Sequence, residues 1–209
     1  QLLPATEEAH EKQTLEEVQR NAMKINSLIH QVLNFNRIED NEDSLLILSR
    51  IELVSFSHSL FSVYEEDKRL TFLFETNKAK IYADMDAIKL GVILDSLLSN
   101  AVKFTPDGGS IRLSLFYREE TGLVDICVSD TGSGIPPRDI PYIFQRFFQS
   151  PHSGNKEGTG IGLYLVKTYT ELHGGHITGV TSEEGKGTSV GLNIPVIAVE
   201  EEEIPATQE

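Results

Sequence analysis

The chain has 209 residues, 39% of them hydrophobic and 24% charged, and a formal charge of −14 at neutral pH. That balance is ordinary for a globular protein and excludes a nucleic-acid partner, whose phosphates require clustered Lys and Arg. The single cysteine, Cys127, excludes an internal disulfide and fits a reducing compartment; no apolar run is long enough for a bilayer span and no signal peptide is read, so the chain is expected to be soluble.

From about Thr6 to Glu39 there is no Gly or Pro, and apolar residues recur at Leu15, Val18, Ala22, Ile25, Ile29 and Val32. Steps alternating three and four give a seam repeating about every 3.5 residues, the signature of a long helix made for a bundle or coiled coil. A helix lying on the globular part is the plainer alternative. After the polar stretch Glu39 to Ser44, the pattern predicts a strand near Leu45–Ile51, a helix near Val54–Asp67, strands near Leu70–Glu75 and Lys80–Ala83, and a helix from Asp86 to Phe104. Strands follow near Ile111–Tyr117 and Leu123–Ser129, then a short helix around Asp139–Phe147, a helix from about Thr159 to His173, and closing strands near His176–Thr181 and Thr188–Pro195. Helices interspersed with strand pairs predict an α+β fold, helices layered on one mixed sheet. The acidic run at residues 200–209 reads as a solvated tail or linker.

On a helical wheel, Ile93, Leu94, Leu97, Ala101 and Phe104 gather as the core face, while Ser96, Asn100 and Lys103 form a second stripe at its edge. An amide and an ammonium there either border a cleft or simply meet solvent. Two glycine-rich stretches come later. "SDTGSGI" at 129–135 leaves a strand, and "GTGIGL" at 158–163 opens a helix. Glycine lets backbone approach a ligand, and a helix start offers N–H donors to phosphate. A dinucleotide fingerprint requires a strand immediately before its glycines, and the polar "QSPHSGNKE" stands there instead.

In order, the chain reads "NAVKFTP", "DTGSGI", "IFQRFFQ", "GTGIGL" and "GKGTS". This succession resembles the N, G1, F, G2 and G3 boxes of the sensor histidine kinase ATP-binding domain, over residues 46 to 196. The helix ending "LIHQVLNFNRIED" is similar to the second helix of that family's dimerisation and phosphoacceptor domain. The resemblance implies a Bergerat-type α/β sandwich over residues 44–199. It is preceded by a partial phosphoacceptor domain over 1–40 and followed by the tail 200–209.

The resemblance further implies ATP and Mg²⁺ as ligands. Asp130 would accept a hydrogen bond from the adenine amine, which a carboxylate welcomes and guanine's carbonyl does not offer. Gly132, Gly134 and Ile135 would line the base. Asn100 would hold Mg²⁺, and Lys103 would meet a phosphate. Gly158, Thr159, Gly160, Ile161, Gly162 and Leu163 would present donors to the phosphates, residues 150–157 would form a lid, and Thr188 would close the adenine end. Arg146 would reach the nucleotide or the phosphoacceptor helix, with a plain surface arginine as the alternative; Phe144, Phe147 and Phe148 read as packing. The implied partners are the phosphoacceptor helix, a response regulator receiver domain and a second copy in the full-length protein. The implied setting is the cytoplasmic part of a membrane-anchored sensor.

Two departures stand out. The family usually carries a second Asn where this chain has Ser96, and a Glu is common where it has Gly91; weakened catalysis is expected rather than lost ATP binding. Asp95 points about 100° from Ser96 and is a poor substitute. The H-E-x-R-T-P motif is missing. "HEKQTL" at 10–15 has Lys and Leu where an apolar residue and Pro belong, so His10 is a poor phosphoacceptor. His30 lies beside the seam, and His173 and His176 flank "GG" at a helix end, where His meets the helix dipole. The chain is therefore expected to start just after the acceptor helix. Two other functions stay open: a nucleotide-sensing scaffold with weak transfer, and a gyrase- or chaperone-type ATPase, which would need a Glu that neither Gly91 nor Ser96 supplies.

Overall fold

In a computed structural model the chain divides into two units between residues 43 and 44. The structure describes residues 45–151 and 158–196, all in the second unit. The expected helix over 6–39 with His10 and His30, most of the lid (152–157) and the tail lie outside the described residues.

Five strands form one mixed sheet in the order β2, β4, β5, β7, β6. They are β2 (Thr71–Thr76), β4 (Ser110–Arg118), β5 (Leu123–Asp130), β6 (His176–Glu183) and β7 (Gly187–Pro195). Among the described residues, only β2 and β4 run parallel in this sheet. β1 (Ser49–Glu52) and β3 (Tyr82–Met85) make a separate antiparallel pair. The period-two alternation sends Ile111, Leu113, Leu115, Val124, Ile126, Val128, Val190, Leu192 and Ile194 into the core. Three helices, α1 (Leu53–Tyr64), α2 (Ala87–Phe104) and α3 (Gly162–Leu172), cover that face.

Helices α1 and α2 begin where the sequence supplies a cap. Glu52 accepts from the amides of Val54 (3.0 Å) and Ser55 (2.7 Å), and a third bond from Ile81 N–H ties the α1 start to β3. Asp86 caps α2 through Ile88 and Lys89 N–H. At the other end the Thr105 hydroxyl bonds the Ala101 carbonyl, and Pro106 forbids a further turn. Leu53, Ser57 and Phe61, four residues apart, are the buried stripe of α1; Phe61 meets the rings of Phe72 and Phe74 on β2, both at 5.7 Å between centroids.

The Ser57 hydroxyl is buried with no hydrogen-bond partner among the described residues. Desolvating a hydroxyl without compensation is costly, and Ala is also the better helix former. Ser57→Ala is expected to stabilise the fold by about 1 kcal/mol, read as a higher urea midpoint at unchanged slope.

Several boundaries differ from the sequence pattern for local reasons. The first strand starts at Ser49, because the Ile47 amide bonds the Asp86 carboxylate instead of a neighbouring strand. The helix expected over Asp139–Phe147 shrinks to one 3₁₀ turn, Ile140–Tyr142, and Phe147 turns left-handed at φ 61°. Phe147 is 59% exposed. The helix expected from Thr159 starts at Gly162, since Gly160 takes φ 71°.

A polar knot joins the start of α2 to the end of α3. Lys89, only 5% exposed, pairs with Asp86 at 3.2 Å, bonds the Leu45 carbonyl and lies over the Tyr169 ring. The Asp86 amide donates to His173 Nε2 (3.2 Å), and His173 Nδ1 donates to the Tyr169 carbonyl (2.7 Å). That pattern requires the neutral imidazole, so His173 acts through one carbonyl rather than as a cation on the helix dipole. Burial holds its pKa below the ordinary 6.5, against the pull of the Tyr169 carbonyl and of the Asp86 charge; Lys89 pushes it down further. A depressed pKa leaves this stabilisation whole above 6.5 and removes it as pH falls through the lowered value. The urea midpoint is expected to drop below pH 6.5, and His173→Gln to flatten that drop.

Candidate functional site

The C-terminal half of α2 carries two of the expected site residues, and its carbonyl end is tied to a third stretch. Asn100 and Lys103 are half-buried on α2. Among the described residues nothing bonds the Asn100 amide. The Phe104 carbonyl accepts from Ser133 N–H (3.1 Å), which fastens the turn 131–135 against the helix end. Ser96 does not share the edge with Asn100 and Lys103: it is 3% exposed and lies beneath the start of α3, where a Cβ on Gly162 would stand 3.6 Å from its side chain. Gly91 faces Phe56 on α1. Asp95 is taken by the Tyr64 hydroxyl at 2.5 Å, on the α1 side of the helix. Neither borders the other expected residues.

One cluster forms where β5 ends. Asp130 Oδ1 accepts from Gly132 N–H (2.8 Å) and Thr188 N–H (3.2 Å), so two backbone segments orient the carboxylate. Oδ2 bonds no described residue and can receive a ligand's amino group. Burial raises the Asp130 pKa, and the Gly132 and Thr188 amides partly offset it. Ser182 on β6 completes the cluster. Its hydroxyl accepts from Ile135 N–H (2.8 Å), bonds the Gly187 carbonyl (3.0 Å) and lies 2.8 Å from Thr188 Oγ1. Ser182 was not among the expected residues, and no sequence signal marks it.

Two glycines make that cluster possible. Gly134 has φ 71° and a Cβ there would strike the Glu183 carbonyl; Gly187 has φ 121° and a Cβ would strike the Asp130 carbonyl. The turn thus closes on the end of β6, and the start of β7 on the end of β5, at distances only glycine permits.

A second cluster joins Lys103 to the loop before α3. Lys103 Nζ lies 2.9 Å from where a Gly158 Cβ would be and 4.8 Å from the centre of the Phe104 ring. Ile161 N–H bonds Thr159 Oγ1 at 3.3 Å, the Ile161 side chain is buried in the core, and Leu163 is half-buried in the first turn of α3. The Ile161 side chain thus packs into the core, and Leu163 sits on the first turn of α3. Arg146 donates to the Tyr164 hydroxyl (2.8 Å) and lies over its ring at 4.8 Å, which places it beside α3.

The arrangement is a fixed carboxylate with a glycine turn on one side of the α2 terminus, and an ammonium with a glycine-rich helix start on the other. The first end suits an amino-bearing ring; the second suits an anion.

Residues 85–198 match the family described as histidine kinase-, DNA gyrase B-, and HSP90-like ATPase. Sensor histidine kinase WalK of Bacillus subtilis (strain 168) is 31% identical over 172 residues; the match covers 80% of this chain and 28% of WalK, so the chain spans little more than a quarter of that relative. Among solved structures, the mycobacterial sensor histidine kinase MprB is 25% identical with a TM-score of 0.62, covering 72% of this chain and 98% of that one. The catalytic domain of histidine kinase ThkA, in a nucleotide-free form, is 25% identical with a TM-score of 0.61, covering 71% and 95%. No helix among the described residues is long and apolar enough to cross a membrane.

Proposed function

Since this chain belongs to the family of histidine kinase-, DNA gyrase B- and HSP90-like ATPases, we propose that it binds Mg·ATP at the α2 terminus and that the protein of which it is part transfers the γ-phosphoryl group to a histidine on a phosphoacceptor helix. Asp130 would take the adenine amine through Oδ2, beside Gly132, Gly134, Ile135 and Thr188. Lys103, with the backbone of Gly158, Thr159, Gly160 and Gly162, would hold the phosphates, and Arg146 would approach from beside α3. Supporting this is one observation above the rest: a carboxylate with one oxygen already fixed, and an ammonium against a glycine loop, converge on one helix end.

Magnesium prefers hard oxygen ligands and usually keeps waters and substrate phosphates around it, with few protein groups. The Asn100 amide, half-buried and bonded to no described residue, fits as its single protein ligand. When bound, the ion would neutralise phosphate charge. Phosphoryl transfer asks of the protein mainly positioning and charge stabilisation, and these side chains supply both. A water-activating carboxylate is a poor fit: Gly91 faces Phe56, Ser96 is covered by α3, and Asp95 is paired with Tyr64. That favours transfer to a histidine over hydrolysis. A response regulator receiver domain and a second copy of the full-length kinase complete the proposed partners.

Calorimetry on the chain should give heat with Mg·ATP and none with Mg·GTP; silence with Mg·ATP would overturn the reading. A nucleotide-sensing scaffold is the second reading, favoured by the burial of Ser96 away from Asn100. Labelled ATP and a separately supplied histidine-bearing helix separate the two. Acid-labile label on the helix supports the kinase, and binding without label supports the scaffold.

A further inference from the structure

We propose that Gln149 is a positioning residue for the phosphate-binding loop, holding the peptide between Gly158 and Thr159 in the orientation that serves a triphosphate. The inference rests on the nucleotide site proposed above. Gln149 lies after the 3₁₀ turn, exposed, and its Nε2 donates to the Gly158 carbonyl at 2.8 Å. Only the amide nitrogen of the side chain can make that bond, because the facing group is itself an acceptor.

A trans peptide is planar, so its C=O and N–H point in opposite directions. Anchoring the Gly158 carbonyl on Gln149 therefore fixes the Thr159 N–H pointing away from residue 149. The same peptide sits against Lys103, whose Nζ is 2.9 Å from the place a Gly158 Cβ would take. Gln149 thus fixes one amide direction beside the Lys103 ammonium.

The neighbouring contacts show that this strand of chain is built as a brace. Phe147 N–H bonds the Gly160 carbonyl at 3.0 Å, and Arg146 bonds the Tyr164 hydroxyl at 2.8 Å. Residues 146, 147 and 149 thereby hold 164, 160 and 158 in antiparallel order. Phe147 accepts φ 61° to do so, a conformation unusual for a residue with a Cβ. Of the three contacts, the one from Gln149 reaches the loop's first peptide and can be removed without touching the backbone.

Gln149→Leu keeps the bulk and loses the donor; Gln149→Glu replaces the donor with a repelling carboxylate. Because the side chain is exposed and outside the core, both variants are expected to melt like the parent. Mg·ATP affinity, measured by calorimetry, is expected to fall about tenfold in Gln149→Leu and further in Gln149→Glu. Adenosine, which reaches only the Asp130 end and is followed by NMR titration, is expected to bind all three alike. Equal Mg·ATP affinity in parent and variants, or a parallel fall for adenosine, would overturn the inference while leaving the site in place. A parent that binds neither ligand would overturn both.

Discussion

Asp130→Asn is expected to weaken Mg·ATP binding by at least about a hundredfold while making the ligand-free protein more stable at neutral pH. The asparagine oxygen can keep the bonds from Gly132 and Thr188 N–H. Its NH₂ then stands where Oδ2 stood and meets the adenine amine donor to donor, leaving both unpaired, which is the arrangement polar sites reject most strongly. Stability moves the other way. Burial raises the Asp130 pKa above its ordinary value, so its contribution is fully present below that ordinary value and lost as pH rises through the raised one. At pH 7 the carboxylate is charged and net costly, and the neutral amide removes that cost. Calorimetry and urea titration of the same variant check the two halves. Retained affinity would remove Asp130 from the base site, and a lower urea midpoint would contradict its burial cost.

Gly187→Ala is expected to have the largest effect on the fold, a loss of about 3 kcal/mol or more from backbone strain and steric conflict together. The new methyl would point into the Asp130 carbonyl, at a φ of 121° that side-chain-bearing residues rarely adopt. Relief requires β7 to back away from β5 at the register pair Asp130 and Thr188, which also breaks the Thr188 N–H bond to the carboxylate. The urea midpoint should fall and ATP binding with it. Gly185→Ala is the control, since its φ is also positive but a Cβ there meets nothing within 4 Å. It should lose stability through strain alone and keep its ligand.

The parts of this fold that repeat were legible in the sequence. Alternation in Val124, Ile126 and Val128 reports a one-sided strand because the pleat itself has period two, and the core face of α2 reads off the wheel for the same geometric reason. Asn100 and Lys103 were legible as a stripe, and the glycine stretches as close approaches. What periodicity does not carry is how elements meet. Ser96 lies on the same wheel stripe as Asn100, yet α3 covers one and leaves the other half-buried. Ser182 meets Ile135, Gly187 and Thr188, and Gln149 meets the Gly158 carbonyl, relations with no spacing to read. Lys89 is buried because Asp86, the Leu45 carbonyl and the Tyr169 ring converge on it; only its three-residue spacing from Asp86 hinted at the pairing. The helix expected over 139–147 is reduced to one 3₁₀ turn, and the left-handed Phe147 departs from local propensity.

The place of β7 in the sheet has a consequence for biosynthesis. It is the last described strand in the chain, yet it lies between β5 and β6 and supplies the Thr188 amide that orients Asp130. A chain growing on the ribosome has β5 long before β7, at elongation rates of about 5–20 residues per second. Until residue 188 has cleared the exit tunnel, the carboxylate lacks one of its two fixed donors. The second anchor of the Asp130 carboxylate thus arrives only with β7, after β4, β5 and β6 have been made.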